Sequence, residues 1–220
     1  MSGFKSLFLT PKIHDYLLDH GTRPDPLLAE LTEETKRAVG NLWMMQVAPE
    51  QGALMELLTR AIGARCAVEI GTFTGYSALC IARGLPDDGS LLCCDVNEEW
   101  TAIARRYWER AGVAKKIDLR IGPASETLRA LPEEKTLDLA FIDADKTGYI
   151  DYFEALVPRM RRNGLILVDN VLWGGNVVNP EADDEHTRAV RRFNRHAADD
   201  DRVDAVMLPI SDGLTLFRKR

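Results

Sequence analysis

Cys66-Ala67-Val68-Glu69-Ile70-Gly71-Thr72-Phe73-Thr74-Gly75-Tyr76-Ser77 decides the fold. Its first five residues read as a short apolar strand. Gly71 and Gly75 bound a turn, and a helix is predicted from Tyr76 to about Arg83. Upstream, turn signals separate three predicted helices: Pro11 to His20, Pro26 to Val39 and Pro49 to Ile62. Downstream, strand and helix alternate. Strands are predicted at Ser90–Val96, Lys116–Ile121, Leu137–Asp143 and Leu165–Asp169. Helices are predicted at Glu98–Ala111, at about Thr147–Arg162 and near His186–Ala197. The first of these carries Ile103, Ala104, Tyr107 and Trp108 at helical spacing. Two last strands, Val203–Ile210 and Leu214–Arg218, flank Ser211-Asp212-Gly213, a tight hairpin signal.

Apolar strands alternating with amphipathic helices predict an α/β fold, its seven-stranded, mostly parallel sheet covered on both faces. The C-terminal hairpin forces one strand to run antiparallel. The 220 residues, 45% apolar, suffice for a single domain, with residues 1–48 as an N-terminal helical cap. A net charge of -6 argues against a nucleic-acid partner. Met1-Ser2-Gly3-Phe4-Lys5 leads into no long apolar run, so neither a signal peptide nor a membrane span is expected. Cys66, Cys80, Cys93 and Cys94 lack C-x-x-C spacing and lie in predicted strands and helices. They read as buried free thiols of a cytoplasmic protein.

In open α/β sheets a ligand sits beyond the C-terminal strand ends, near the switch in strand order. Glu69 and Gly71 close the first strand there, and Gly75 allows backbone approach. Asp95 ends the second strand, placed to accept from ribose hydroxyls. Gly122-Pro123-Ala124-Ser125 follows the third and is suited to wall an adenine. NAD and S-adenosylmethionine both meet this description. A dinucleotide wants G-x-G-x-x-G against its pyrophosphate, but Phe73 stands where the second glycine would fall. Glu69 would repel phosphate and suits an ammonium. The run therefore favours S-adenosylmethionine; a plain turn and helix start is the other reading.

Phe141-Ile142-Asp143-Ala144-Asp145-Lys146 and Ile166-Leu167-Val168-Asp169-Asn170 end consecutive strands, which usually lie side by side. Asp143, Asp169 and Asn170 would then meet as three hard oxygen donors for Mg²⁺, Mn²⁺ or Ca²⁺, and not for zinc. Such an ion keeps open positions for the two vicinal oxygens of a catechol. Lys146, beside the ion, would lose its proton more readily than a free lysine and could take one from the attacking hydroxyl. Taken singly, Asp-Ala-Asp-Lys also reads as a helix N-cap and Asp169-Asn170 as a turn. A binder of S-adenosylmethionine without catalysis would not need this set intact.

These segments, with Leu85-Pro86-Asp87-Asp88-Gly89, Ala111-Gly112-Val113-Ala114-Lys115-Lys116-Ile117 and Asp169-Asn170-Val171-Leu172-Trp173, resemble the cation-dependent O-methyltransferases. That is the family of caffeoyl-CoA O-methyltransferase, with animal catechol O-methyltransferase more distant. The resemblance runs from about Met45 to the C-terminus. It implies a Rossmann-like class I methyltransferase, usually a homodimer, acting on a small-molecule catechol. It implies Asp143, Asp169 and Asn170 as metal ligands and Lys146 as base. It implies contacts to S-adenosylmethionine from Glu69, Gly71, Thr72, Ser77, Asp95, Ala124, Asp143 and Asp145. Met45 and Val47 match a segment that closes over cofactor and acceptor. A threonine is common where Val47 stands, so only a backbone contact carries over. Trp173 matches an aromatic wall of the acceptor site, beside Lys146 and Asn170. One departure stands out. Plant caffeoyl-CoA enzymes carry tyrosines that hold the CoA portion. Here that stretch is acidic, Asn179-Pro180-Glu181-Ala182-Asp183-Asp184-Glu185, and suits a small catechol better than a polyanionic CoA ester.

Overall fold

The computed structural model describes residue 7 and residues 9–134 and 136–220, so the reading of Met1–Lys5 lies outside the described residues. Seven strands form one sheet in the order β3-β2-β1-β4-β5-β7-β6. They are β1 (Cys66–Ile70), β2 (Ser90–Asp95), β3 (Ile117–Ile121), β4 (Leu137–Ile142), β5 (Met160–Val168), β6 (Val203–Leu208) and β7 (Leu214–Lys219). Strands β1 to β5 pair in parallel. Strand β7 runs antiparallel between β5 and β6, as the hairpin signal requires. All six residues of β4 are buried, and its one polar residue, Asp138, is paired with Arg161 and accepts from the backbone N–H groups of Arg65 and Cys66.

Eight α-helices surround the sheet among the described residues: α1 (Pro11–His20), α2 (Pro26–Val39), α3 (Pro49–Ala61), α4 (Tyr76–Gly84), α5 (Glu98–Arg110), α6 (Ala124–Ala130), α7 (Tyr149–Leu156) and α8 (Glu185–Ala198). Apolar side chains of α3, α4 and α5 bury one sheet face, and those of α6, α7 and α8 the other. Helix α2 is tied down by polar contacts. Thr35 Oγ1 donates to Thr74 Oγ1 at 2.8 Å in the buried interior. Tyr107 donates to Glu34 at 2.8 Å, and Arg110 grips Glu30 with two bonds.

Two elements differ from expectation. The helix predicted from Thr147 to Arg162 ends at Leu156, and Met160 already belongs to β5. Pro158 has no N–H to continue the helical ladder, so the chain turns there. Helix α6 was not expected. It has seven residues and buries only Ala124 and Leu128, too few to show a period. Three of the four cysteines are buried, Cys66 partly so, and all four are free thiols. Among the described residues no helix is long and apolar enough to cross a membrane.

The strand order reverses between β1 and β4, which opens the crevice where ligands bind in such sheets. The parallel hydrogen-bond ladder continues past the strand ends into this crevice. Gly71 N donates to Cys94 O at 2.9 Å, Asp143 N to Ile70 O at 2.8 Å, and Asp169 N to Ile142 O at 3.0 Å. The loops that hold the candidate residues therefore inherit the rigidity of the sheet. Gly71 has φ +88, and a Cβ there would collide with the carbonyl of Asp143. Only glycine lets these two loops cross. Gly71→Ala combines a left-handed backbone with overpacking against backbone. It is expected to destabilise the protein by about 2–5 kcal/mol, read from urea midpoints.

Candidate active site

The register of β4 and β5 brings Asp143, Asp169 and Asn170 to one edge. Asn170 lies in the left-handed region at φ 55, which asparagine tolerates better than most residues. Its Oδ1 accepts from Lys146 Nζ at 2.7 Å. The same amine donates to Asp143 Oδ1 at 3.2 Å and to Tyr149 OH at 2.5 Å. Tyr149 OH in turn donates to the Asp169 backbone carbonyl at 3.1 Å. Lys146 is only 8% exposed. The Trp173 ring centroid lies 5.6 Å from its Nζ.

Both carboxylates sit where ionisation is expensive. Burial pushes Asp143 up, opposed by Lys146. Burial, and then the charge of Asp143, pushes Asp169 up. Two carboxylates thus share one ammonium. Among the described residues no group of three or more His, Cys, Asp or Glu is placed to hold a metal. The set here has two carboxylates, and its third donor is the Asn170 amide oxygen. Hard oxygens alone fit Mg²⁺, Mn²⁺ or Ca²⁺. The Lys146 ammonium already gathers Asp143 Oδ1 and Asn170 Oδ1, so these oxygens converge on positive charge.

Across the crevice, Glu69 is wholly buried at the end of β1. Cys93 Sγ donates weakly to its Oε2 at 3.6 Å, and its Oε1 has no partner. Burial pushes its pKa up to about 8, opposed by Ser77 and Thr72. The buried Thr72 Oγ1 is also without a partner. This pair of unmet polar atoms marks a place for a ligand with donors and positive charge.

Asp95 plays a part that the sequence did not reveal. Its Oδ2 accepts from the backbone N–H groups of Thr72 and Phe73 at 2.9 and 2.7 Å, and its Oδ1 from Asn97 N at 2.8 Å. It shapes the glycine loop itself. Gly75 also has a packing reason. A Cβ there would lie 2.5 Å from Ala104 Cβ and 2.9 Å from Trp108 Nε1, so helix α5 requires the glycine. Asp145 accepts from Gly148 N at 2.9 Å and from Tyr152 OH at 2.6 Å, capping the turn that carries Lys146. Ala124 opens α6 and is buried. Val47 is buried in the core, and Met45 is half exposed at the end of a 3-10 turn over Gly40–Met45.

Three residues near the site went unread in the sequence. Tyr149 follows Lys146 by three residues, a helical spacing that could have flagged it. Gln51 is wholly buried beside Asp169. Asp212, in the β6–β7 turn, accepts from Gly174 N at 2.6 Å and adds negative charge near Asp143. A cavity of about 590 Å³ lined by Cys66, Leu92, Leu131 and Arg159 holds none of the candidate residues.

A family model described as O-methyltransferase matches residues 19–220. A protein from Dictyostelium discoideum named probable caffeoyl-CoA O-methyltransferase 1 is 41% identical over 211 residues, covering 94% of this chain and 91% of its own. The crystal structure of a putative O-methyltransferase from Klebsiella pneumoniae superposes with a TM-score of 0.86 at 35% identity, covering 95% and 96% of the two chains. That of the O-methyltransferase from Bacillus cereus, in complex with SAH, gives 0.85 at 32% identity, covering 95% and 97%.

The raised pKa of Glu69 makes stability depend on pH. Between about pH 4.5 and 8 the ligand-free folded chain holds a proton on Glu69 that the unfolded chain has released. Stability is therefore expected to fall as pH rises through that window. Urea midpoints should show the fall in the wild type and a shallower one in Glu69→Gln. Equal slopes would contradict the burial of this carboxyl.

Proposed function

The chain belongs to the O-methyltransferase family, and from that premise we propose that it methylates one hydroxyl of a small catechol. The methyl donor is S-adenosylmethionine, and a divalent cation, Mg²⁺ in the first instance, is held by Asp143, Asp169 and Asn170. The observation that carries this reading is that Lys146 gathers the Asp143 carboxylate and the Asn170 amide oxygen next to the buried Asp169.

Glu69 supports the donor. Its unpartnered Oε1 suits the ammonium of a methionine moiety, and that charge would favour the ionised carboxylate. The Bacillus cereus relative was solved with SAH. Gly71, Thr72, Ser77 and Asp95 line the same loop, and Val47, Ala124 and Asp145 complete the set assigned to the donor. The bound cation would orient the vicinal diol and favour its ionised form. The amine of Lys146, its own proton first released to solvent, takes the hydroxyl proton as the oxygen attacks the sulfonium methyl, and the carbon–sulfur bond breaks to release S-adenosylhomocysteine. The Tyr149 hydroxyl, kept protonated by burial, holds that amine in place. Asn170, Trp173 and Met45 flank the acceptor, and alignment of hydroxyl and methyl supplies much of the rate.

A caffeoyl-CoA ester is the second reading, favoured by the name of the Dictyostelium relative. The acidic run from Asn179 to Glu185 weighs toward the small catechol. Family membership displaces the NAD-linked alternative. We further read residues 1–48 as a cap on a single domain, the protein as a cytoplasmic homodimer, and its partners as excluding nucleic acid and membrane. Exposed Leu42, Trp43 and Met44 support a covering or pairing role for the cap.

Incubation with S-adenosylmethionine and a panel of catechols and caffeoyl-CoA tests the reading. Turnover should vanish with EDTA, return with Mg²⁺, and favour the small catechols. Turnover that survives complete metal removal would contradict the cation. Lys146→Ala should lower kcat by about 10²–10⁴ and leave SAH affinity nearly unchanged.

A further inference from the structure

Gln51 stands outside the ligand set, yet it is buried next to it. It lies in the first turn of α3, and its side chain has no exposure. Both amide atoms, Nε2 and Oε1, are buried without a hydrogen-bond partner. An unmet buried polar group costs about 1–3 kcal/mol. Two on one side chain point to a partner that comes into reach when the site is loaded. The neighbour is Asp169. The Gln51 amide lies beside the Asp169 carboxylate, short of hydrogen-bond geometry. Asp169 already accepts from Asn170 N at 2.7 Å on Oδ1.

The chemistry explains why a neutral amide suits this position. Asp143 and Asp169 repel one another, and Lys146 is the cation bonded to Asp143. A second ammonium would steady Asp169 but would compete with a divalent ion. An amide N–H steadies the carboxylate without adding charge.

We propose that Gln51 is a positioning residue for the cation site: its amide N–H closes onto Asp169 and fixes that carboxylate as a metal ligand. The inference rests on the cation reading above and concerns a residue outside the ligand set.

Calorimetric titration with Mn²⁺, without S-adenosylmethionine, tests it on the wild type, Gln51→Met, Gln51→Asn and Asp169→Ala. Gln51→Met is expected to weaken Mn²⁺ binding about 10–100-fold. Its cation-free Tm should equal or exceed the wild-type value, because an unmet amide has been replaced by an apolar chain of similar size. A purely structural role would do the reverse, lowering Tm and sparing Mn²⁺ affinity, and would overturn the proposal. Gln51→Asn keeps the amide but withdraws it by one methylene. It should also weaken Mn²⁺, and it decides the matter if Gln51→Met does not fold. Wild-type Mn²⁺ affinity in the folded Gln51 variants, with binding lost in Asp169→Ala, overturns the role of Gln51 and leaves the cation site standing. A wild type that binds no Mn²⁺ overturns both.

Discussion

Two neighbouring carboxylates, the part-buried Asp143 and the buried Asp169, are the constraint on which the site depends. Like charges in a poorly solvated crevice raise each other's cost of ionisation, and burial raises it further. The chain offers partial relief. Lys146 bonds Asp143 and Asn170, and the Tyr149 hydroxyl links that amine to the Asp169 backbone. One ammonium against two carboxylates leaves a negative remainder. A divalent cation has the charge to balance it, and its arrival would free Lys146 from holding the oxygens together. On the proposed reading, the same residue would brace these oxygens before the cation binds and serve as base once it has.

The fold supplies the rigidity this needs. The sheet ladder reaches past β1, β4 and β5 into the loops, and Gly71 lets two of those loops cross. Asp95 binds the glycine loop through two backbone N–H groups, and the Thr35–Thr74 bond ties that loop to α2. On the far side, the β6–β7 turn braces the stretch after Asn170. Val171 N donates to Gly213 O at 3.2 Å, and Leu172 N to Asp212 O at 3.0 Å. Trp173 is held at φ 47 beside two left-handed glycines, a conformation that such bracing sustains. Alignment in a methyl transfer costs less when it is built in before binding.

The strands, the helices on both faces and the hairpin were legible in the sequence because each carries its own period or turn signal. The acidic strand ends were legible because Asp143 and Asp169 interrupt apolar runs where a buried strand should give way to a site. What escaped was either too short or too local to show in a period, or rests on contacts between segments distant in sequence. Pro158 ended a helix whose apolar pattern ran on to Met160. Helix α6 was too short to show a period. The bonds that Asp95 accepts from Thr72 and Phe73 escaped because those residues lie on another loop. Gln51 carries no motif of its own, and only tertiary packing buries it beside Asp169.

The central claim is that Asp143, Asp169 and Asn170 form one cation site from which Lys146 is displaced. Anomalous diffraction from crystals soaked in Mn²⁺ tests it most directly. One peak is expected, about 2.2 Å from oxygens of all three residues, with Lys146 Nζ moved off Asn170 Oδ1. Crystals that bind Mn²⁺ elsewhere, or keep Lys146 bridging Asp143 and Asn170 with no density between the carboxylates, would contradict it.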